Sequence, residues 1–151
     1  MSHQAAQVLH QIDHTLSSWA QRNLEETMRY MARDVVYTVN VNSDIAPFAA
    51  STNGIEELRQ RLRLMLDTFH FDAFVFDAIR PPEKEGAAAR VGITYFYREK
   101  TTNQPLDGRC RVNFYFRDGY ISRVEELYDS RYVEAFARLV AALNATMEHA
   151  Q

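Results

Sequence analysis

The chain has 151 residues, 46% hydrophobic, 25% charged and 12% aromatic, with a formal charge of −3 at pH 7. That is enough for one domain with a sizeable core, and Pro and Gly are too few for a low-complexity segment. A nearly neutral chain without a basic run argues against nucleic-acid or anionic-membrane binding driven by bulk charge. The single Cys110 leaves no intrachain disulfide and fits a reducing compartment. Neither a signal-peptide core nor an apolar run near the ~18 residues of a membrane span is visible. The expectation is one soluble cytoplasmic domain over residues 1–151.

Leu9, Ile12, Leu16 and Trp19 recur at spacings of three and four, which predicts an amphipathic helix over about 4–22. His10 and His14 have the i, i+4 spacing of two metal ligands, but no third ligand or HExxH motif accompanies them, so they read as helix surface. Asn23-Leu24-Glu25-Glu26 reads as a second helix start, with Asn23 as cap and Glu26 reaching back, ending near Arg33. Val35 to Val41 is β-branched and reads as the first strand. Residues 42–53 are irregular, and Ile45, Phe48 and Ala49 suggest a loop folded over apolar surface. Asn53-Gly54-Ile55-Glu56 opens a third helix, with Ile55, Leu58, Leu62, Met65, Leu66 and Phe69 on one face. Arg59, Arg61 and Arg63 lie mostly off that face and read as solvated.

Four strands follow. Phe71–Arg80 alternates imperfectly, which predicts a bulge. In Ala88–Lys100, Val91, Ile93, Tyr95 and Tyr97 oppose Gly92, Thr94, Phe96 and Arg98. Arg109–Asp129 holds two alternating runs around Arg117-Asp118-Gly119-Tyr120. Asp-Gly between such runs is a strong hairpin signal, because Gly takes φ > 0 without steric cost. On one run Val112, Phe114 and Phe116 oppose Arg111, Asn113 and Tyr115. On the other, Val124, Glu126 and Tyr128 share a face. Residues 130–147 predict a closing helix. The sum is an α+β domain: a curved, mostly antiparallel sheet wrapped by helices, with a pocket between them.

The motifs Asn23-Leu24-Glu25, Asp34-Val35-Val36-Tyr37, Asn53-Gly54-Ile55, Asp118-Gly119-Tyr120-Ile121 and Tyr128-Asp129, in this order, resemble the NTF2-like superfamily. The chain looks most like its SnoaL-like branch of polyketide cyclases and ketosteroid-isomerase-like proteins. The resemblance covers about residues 8–136 and implies a cone-shaped fold. It is specific for fold and poor for function, since this superfold hosts isomerases, dehydratases, hydrolases, cyclases and inert subunits. It also implies a last-strand carboxylate a few residues after the Gly-x-Ile turn, a position held here by Glu126. A carboxylate there can abstract a proton beside a carbonyl or deliver one to a leaving oxygen. The bland alternative is a strand carboxylate paired with Arg111 or Arg123.

Departures from the family patterns matter too. Asn40 stands where the ketosteroid-isomerase pattern places an aspartate, and an amide cannot act as a base. Arg111 and Glu126 can imitate two members of the Asp–Arg–Asp set of limonene epoxide hydrolases, without a third. The SnoaL-like histidine has no counterpart between His70 and His149. Candidate pocket residues are Trp19, Tyr37, Asn40, Phe48, Asn113 and Tyr128, with Phe74 and Tyr95 as further wall candidates. The Arg111, Asn113 and Tyr115 face either looks into the cone or forms a sheet-to-sheet dimer contact. Cys110 alternates with Val112 and Phe114 and reads as buried and inert. The expectation is a cofactor-free, metal-free homodimer binding a small apolar or aromatic molecule. It is either an acid–base enzyme using Glu126 or a non-catalytic binding or assembly module.

Overall fold

Two helices lead into the sheet: α1 (His3–Ala20) and the one-turn α2 (Leu24–Met28). The computed structural model describes residues 3–40, 50–128 and 130–150. The remaining elements are β1 (Met31–Val39), β2 (Thr52–Asn53), α3 (Ile55–Thr68), β3 (Phe69–Phe76), β4 (Ala89–Glu99), β5 (Pro105–Arg117), β6 (Tyr120–Tyr128) and α4 (Ser130–Ala150). The strands form one curved, unclosed sheet in the order β2-β1-β6-β5-β4-β3. β1 runs parallel to β6, and the other pairings are antiparallel. The α+β class is as expected. No described helix is long and apolar enough to cross a membrane.

The β5–β6 hairpin forms at the Asp-Gly pair. Asp118 (φ 54°) and Gly119 (φ 82°) both occupy the left-handed region, so the two-residue turn twists with its strands. The expected bulge in β3 falls between Phe71 and Ala73. Two helix starts differ from expectation. Asn23 caps α2, its side chain accepting the Glu26 N–H at 3.2 Å, but Glu26 turns away to His14, 2.9 Å off. α2 is also short, because Met31 already belongs to β1 and pairs with Ile121. At α3 the cap is Gly54 without a side-chain hydrogen bond, and Glu57 instead of Glu56 accepts the Asn53 N–H.

α1 to α3 cover one face of the sheet. Ile12, Leu58, Val35, Phe114 and Ile121 are essentially sealed from solvent. α4 packs along β5 through Ala135 and Leu139. The end of α3 is clasped from outside. Arg22 donates to the Leu66 and Phe69 carbonyls at 2.9 and 3.0 Å, and Lys100 donates to Leu66 at 3.0 Å. Cations on the free carbonyls of a helix end satisfy both their hydrogen bonding and their partial negative charge. Leu58 has no exposed surface and anchors α3. Leu58→Ala is therefore expected to lower unfolding stability by about 2–5 kcal/mol, measured by urea denaturation.

Candidate active site

Every second residue of a strand faces the same way. On this sheet the inner set is Tyr37 of β1, Phe74 of β3, Ile93, Tyr95 and Tyr97 of β4, Val112 and Phe114 of β5, and Val124, Glu126 and Tyr128 of β6. Facing them are Leu16 and Trp19 of α1, Thr27 of α2, and Arg61, Leu62 and Met65 of α3. Together they enclose a cavity of about 90 Å³ with mostly apolar walls. One wall is aromatic. Trp19 packs on Phe71 (ring centroids 5.2 Å apart), Phe71 stacks on Tyr97 (4.4 Å), Tyr97 on Tyr95 (4.8 Å), and Tyr95 meets the edge of Tyr128 at 6.4 Å.

That wall ends at Glu126, a carboxyl only 9% exposed. The Tyr37 hydroxyl donates to its Oε1, and the Tyr128 hydroxyl donates to its Oε2 at 2.5 Å. Arg61 Nη2 lies 3.9 Å from Oε2, and the Arg61 guanidinium carbon sits 4.6 Å above the centre of the Tyr37 ring. Burial pushes the Glu126 carboxyl up to about 7, against the Tyr128 hydroxyl, whose hydrogen bond favours the ionised form. A carboxyl titrating near neutrality can both accept and return a proton there.

The next residue along has the opposite surroundings. Glu125 faces the other side of the sheet, where Asn113 Nδ2 donates to it at 2.9 Å and Lys84 Nζ grips both its oxygens at 2.9 and 3.1 Å. Burial works to raise this carboxyl, but Asn113 and Lys84 outweigh it and leave it below the usual carboxylate range. Glu125 is held as an anion, a structural ion pair.

Of the residues singled out from sequence, Glu126, Trp19, Tyr37 and Tyr128 converge on the cavity, as do Phe74, Tyr95 and Cys110. Asn113 does not: Val112 and Phe114 point inward, so the period of two sends Asn113 to Glu125 on the outer face. Arg111 goes out with it, and no pairing of Arg111 with Glu126 is possible across the sheet. Asn40 is exposed and closes the end of the β1–β6 pair instead, accepting the Tyr128 N–H at 2.8 Å and donating to the Tyr128 carbonyl at 3.4 Å. Phe48 lies outside the described residues. Arg61 is the residue that sequence reasoning missed. It lies three residues after Leu58 and four before Met65, on the apolar stripe of α3, and its side chain is only 10% exposed. A cation at that spacing was the available signal.

The raised Glu126 has a consequence for stability. Between its ordinary value of 4.5 and about 7 the folded chain keeps a proton that the unfolded chain has lost. Folding stability therefore falls as pH rises through that window, and the loss is complete above it. Glu126→Gln is expected to flatten this slope, so its melting temperature should gain on the wild type from pH 4.5 to 7. Thermal melts across that range check it. The offset at low pH reports lost contacts, while the slope reports the titration.

No family model and no curated protein matches the sequence. Solved structures do match in shape. An NTF2-like protein from Burkholderia thailandensis superposes with TM-score 0.67 at 15% identity, over 83% of this chain and 93% of that one. A candidate SnoaL-like polyketide cyclase from Mesorhizobium loti gives 0.64 at 14% identity, over 80% and 98%. An LEH-like epoxide hydrolase of M. tuberculosis gives 0.67 at 15% identity, over 93% and 97%. With the strand order, the enclosing helices and the cavity between them, these likenesses establish that the chain has the NTF2-like fold.

Proposed function

We propose that the protein binds a small apolar or aromatic carbonyl compound and moves a proton on it without a cofactor, with Glu126 as the base and acid. The observation that carries this is a buried carboxyl near neutrality, held between Tyr37 and Tyr128 inside an apolar cavity. In the ionised form Glu126 takes a proton from the carbon next to the carbonyl. The C–H electron pair becomes the enolate double bond, and the carbonyl electrons move onto oxygen. Return of the proton to the far carbon of a conjugated enolate isomerises a β,γ-unsaturated ketone, whereas its delivery to a β-hydroxyl, which leaves as water as the C–O bond breaks, dehydrates a β-hydroxy ketone. The two tyrosines fix the rotamer of the carboxyl. The neighbours named a polyketide cyclase and an epoxide hydrolase have this fold in common with the chain, which bears on its scaffold and leaves the chemistry to Glu126.

A binding or assembly module is the second reading, and the aromatic wall favours it. Tyr95, Tyr97 and Phe71 fill much of the cone, leaving less than the ~150 Å³ of an engineered cavity that admits benzene. We further propose a homodimer through the outer face of the sheet, where Val75 and Phe96 are exposed. Sedimentation equilibrium should then give twice the chain mass of 17.5 kDa, and a Val75→Lys/Phe96→Lys variant should sediment at the single mass.

Exchange of α-hydrogens in D2O separates the two readings. Acetone, butanone and cyclopentanone, followed by NMR, should exchange faster with the wild type than in buffer. Glu126→Gln should lose about 100-fold of that acceleration while remaining folded. Exchange that is equal in both proteins, or absent over the whole panel, removes the enzyme reading. A thermal shift without exchange leaves the binding module.

A further inference from the structure

A proton taken from carbon leaves its charge on the ligand oxygen, and a donor within reach of Glu126 must meet that charge. Among the described residues, the hydroxyls of Tyr37 and Tyr128 touch the carboxyl, and they hold different oxygens of it. Tyr128 donates to Oε2, the oxygen that also lies 3.9 Å from Arg61 Nη2, while Tyr37 donates to Oε1. A hydrogen bond and a cation on the same side concentrate the negative charge on Oε2. The incoming proton therefore enters at Oε1, beside Tyr37. Thr15, Thr27 and Trp19 also line the cavity, but their hydrogens go to the Gln11 carbonyl, the Asn23 carbonyl and the Tyr97 hydroxyl. Tyr37 is held firmly: β1 pairs it with Thr52 on one side and Val124 on the other, and the Arg61 guanidinium covers its ring at 4.6 Å. Its oxygen is thus fixed in place. Its hydrogen still turns, by a half rotation about the ring C–O bond.

We infer that Tyr37 is a catalytic residue of this site: its hydroxyl hydrogen turns from Glu126 Oε1 to the ligand oxygen as the negative charge makes the same move. The inference rests on the proton-transfer reading above and deepens it. With Glu126 ionised and the ligand neutral, the carboxylate is the charged acceptor, and Tyr37 donates to it. Proton transfer reverses that order. The C–H proton forms an O–H bond at Oε1, the C–H electron pair becomes the enolate double bond, and the carbonyl pair comes to rest on the ligand oxygen. Oε1 is then neutral and the enolate oxygen charged, and a charged acceptor makes a hydrogen bond about twice as strong as a neutral one. Tyr37 keeps its own proton throughout, and return of the other proton to carbon turns the hydroxyl back. Because this bond is strong only once charge has reached the ligand oxygen, it raises the rate and not the affinity. A carbanion without an adjacent oxygen gains nothing from it, which restricts the site to ketones and aldehydes small enough for the cavity.

The test has a kinetic and a spectroscopic arm. In the D2O exchange of acetone, Tyr37→Phe should lose roughly 100-fold in kcat with KM little changed. The second arm follows acetone labelled with carbon-13 at its carbonyl, titrated into the wild type at pH 6 and pH 8.5. At pH 6 Glu126 holds its proton, so Tyr37 should donate to the ketone, and the bound carbonyl carbon should lie downfield of its position at pH 8.5. Among the described residues, the charged and titratable groups that share the cavity with Glu126 are Arg61 from α3, Tyr37 from β1, Tyr95 and Tyr97 from β4, Cys110 from β5 and Tyr128 from its own strand. α1 and α2 bring only the neutral Thr15, Leu16, Trp19 and Thr27, and β3 brings Phe74. The downfield shift should vanish in Tyr37→Phe and persist in Tyr128→Phe. A shift that survives Tyr37→Phe comes from the carboxylic acid itself and overturns the inference. So does the lack of any shift in the wild type, or of saturable acetone binding at either pH. Exchange by Tyr37→Phe within about threefold of the wild type defeats this inference and leaves the proton-transfer reading standing. A shift that depends on Tyr37 without any exchange defeats the proton-transfer reading and leaves Tyr37 as the contact of the ligand oxygen.

Discussion

The register of β5 against β6 decides which carboxyl the cavity receives. Val112 lies opposite Glu126 and Asn113 opposite Glu125, so two consecutive glutamates are sent to opposite sides of one sheet. On the inner side the carboxyl finds tyrosine hydroxyls and apolar walls. On the outer side it finds an amide and an ammonium. Since the strand period is two, a slip of one residue exchanges those environments and turns Val124 outward as well. The Asp118-Gly119 turn sets Arg117 opposite Tyr120, and an irregularity between Tyr115 and Phe116 then advances β6 by one residue, so that Arg123 pairs with Tyr115 and Glu126 with Val112.

The helical layer supplies what the sheet lacks. Among the described residues, the strands turn the Glu126 carboxyl, the tyrosine hydroxyls and the Cys110 thiol into the cavity, and the cation arrives from α3. Its placement depends on Leu58 and Leu62, whose burial fixes the rotation of the helix, and on the clasp of Arg22 and Lys100 at its far end. Arg61 is then carried inward by helix geometry, and its ring contact with Tyr37 replaces part of the solvation that a charge loses on burial.

How much of this was legible follows from which physical rule governs each residue. Alternation in β4, β5 and β6 groups the residues of each face, and together with the Asp-Gly pair it makes the hairpin legible, while the irregularity between Tyr115 and Phe116 leaves no mark in the pattern. Alternation states which residues share a face but not which face is covered, and Asn113 was therefore ambiguous until the helices were placed. Asn40 sits at a strand end, where hydrogen-bonding to the neighbouring backbone competes with pointing inward, and backbone closure won. Arg61 was passed over because three arginines in one helix suggest a wet surface. Spacing from Leu58 and Met65 distinguishes it from Arg59, which pairs with Glu25 and Glu56 at the surface. The boundary of β1 was placed late because Met31 to Asp34 has no alternating pattern of its own and is drawn into the sheet by pairing with β6.

The parallel pairing of β1 with β6 joins Tyr37 to Val124 and Val39 to Glu126, segments from near opposite ends of the chain. Every other strand neighbour is closer in sequence, and the β5–β6 hairpin is fully local. Closing the long loop between β1 and β6 carries the largest chain-entropy cost of any pairing in the sheet, and non-local contacts of this kind slow folding. The hydrogen bond between Tyr37 and Glu126 spans that same closure. Assembly of the cavity is thus tied to completion of the fold: a chain still emerging in synthesis, before β6 is available, lacks the buried carboxyl to which the Tyr37 hydroxyl donates.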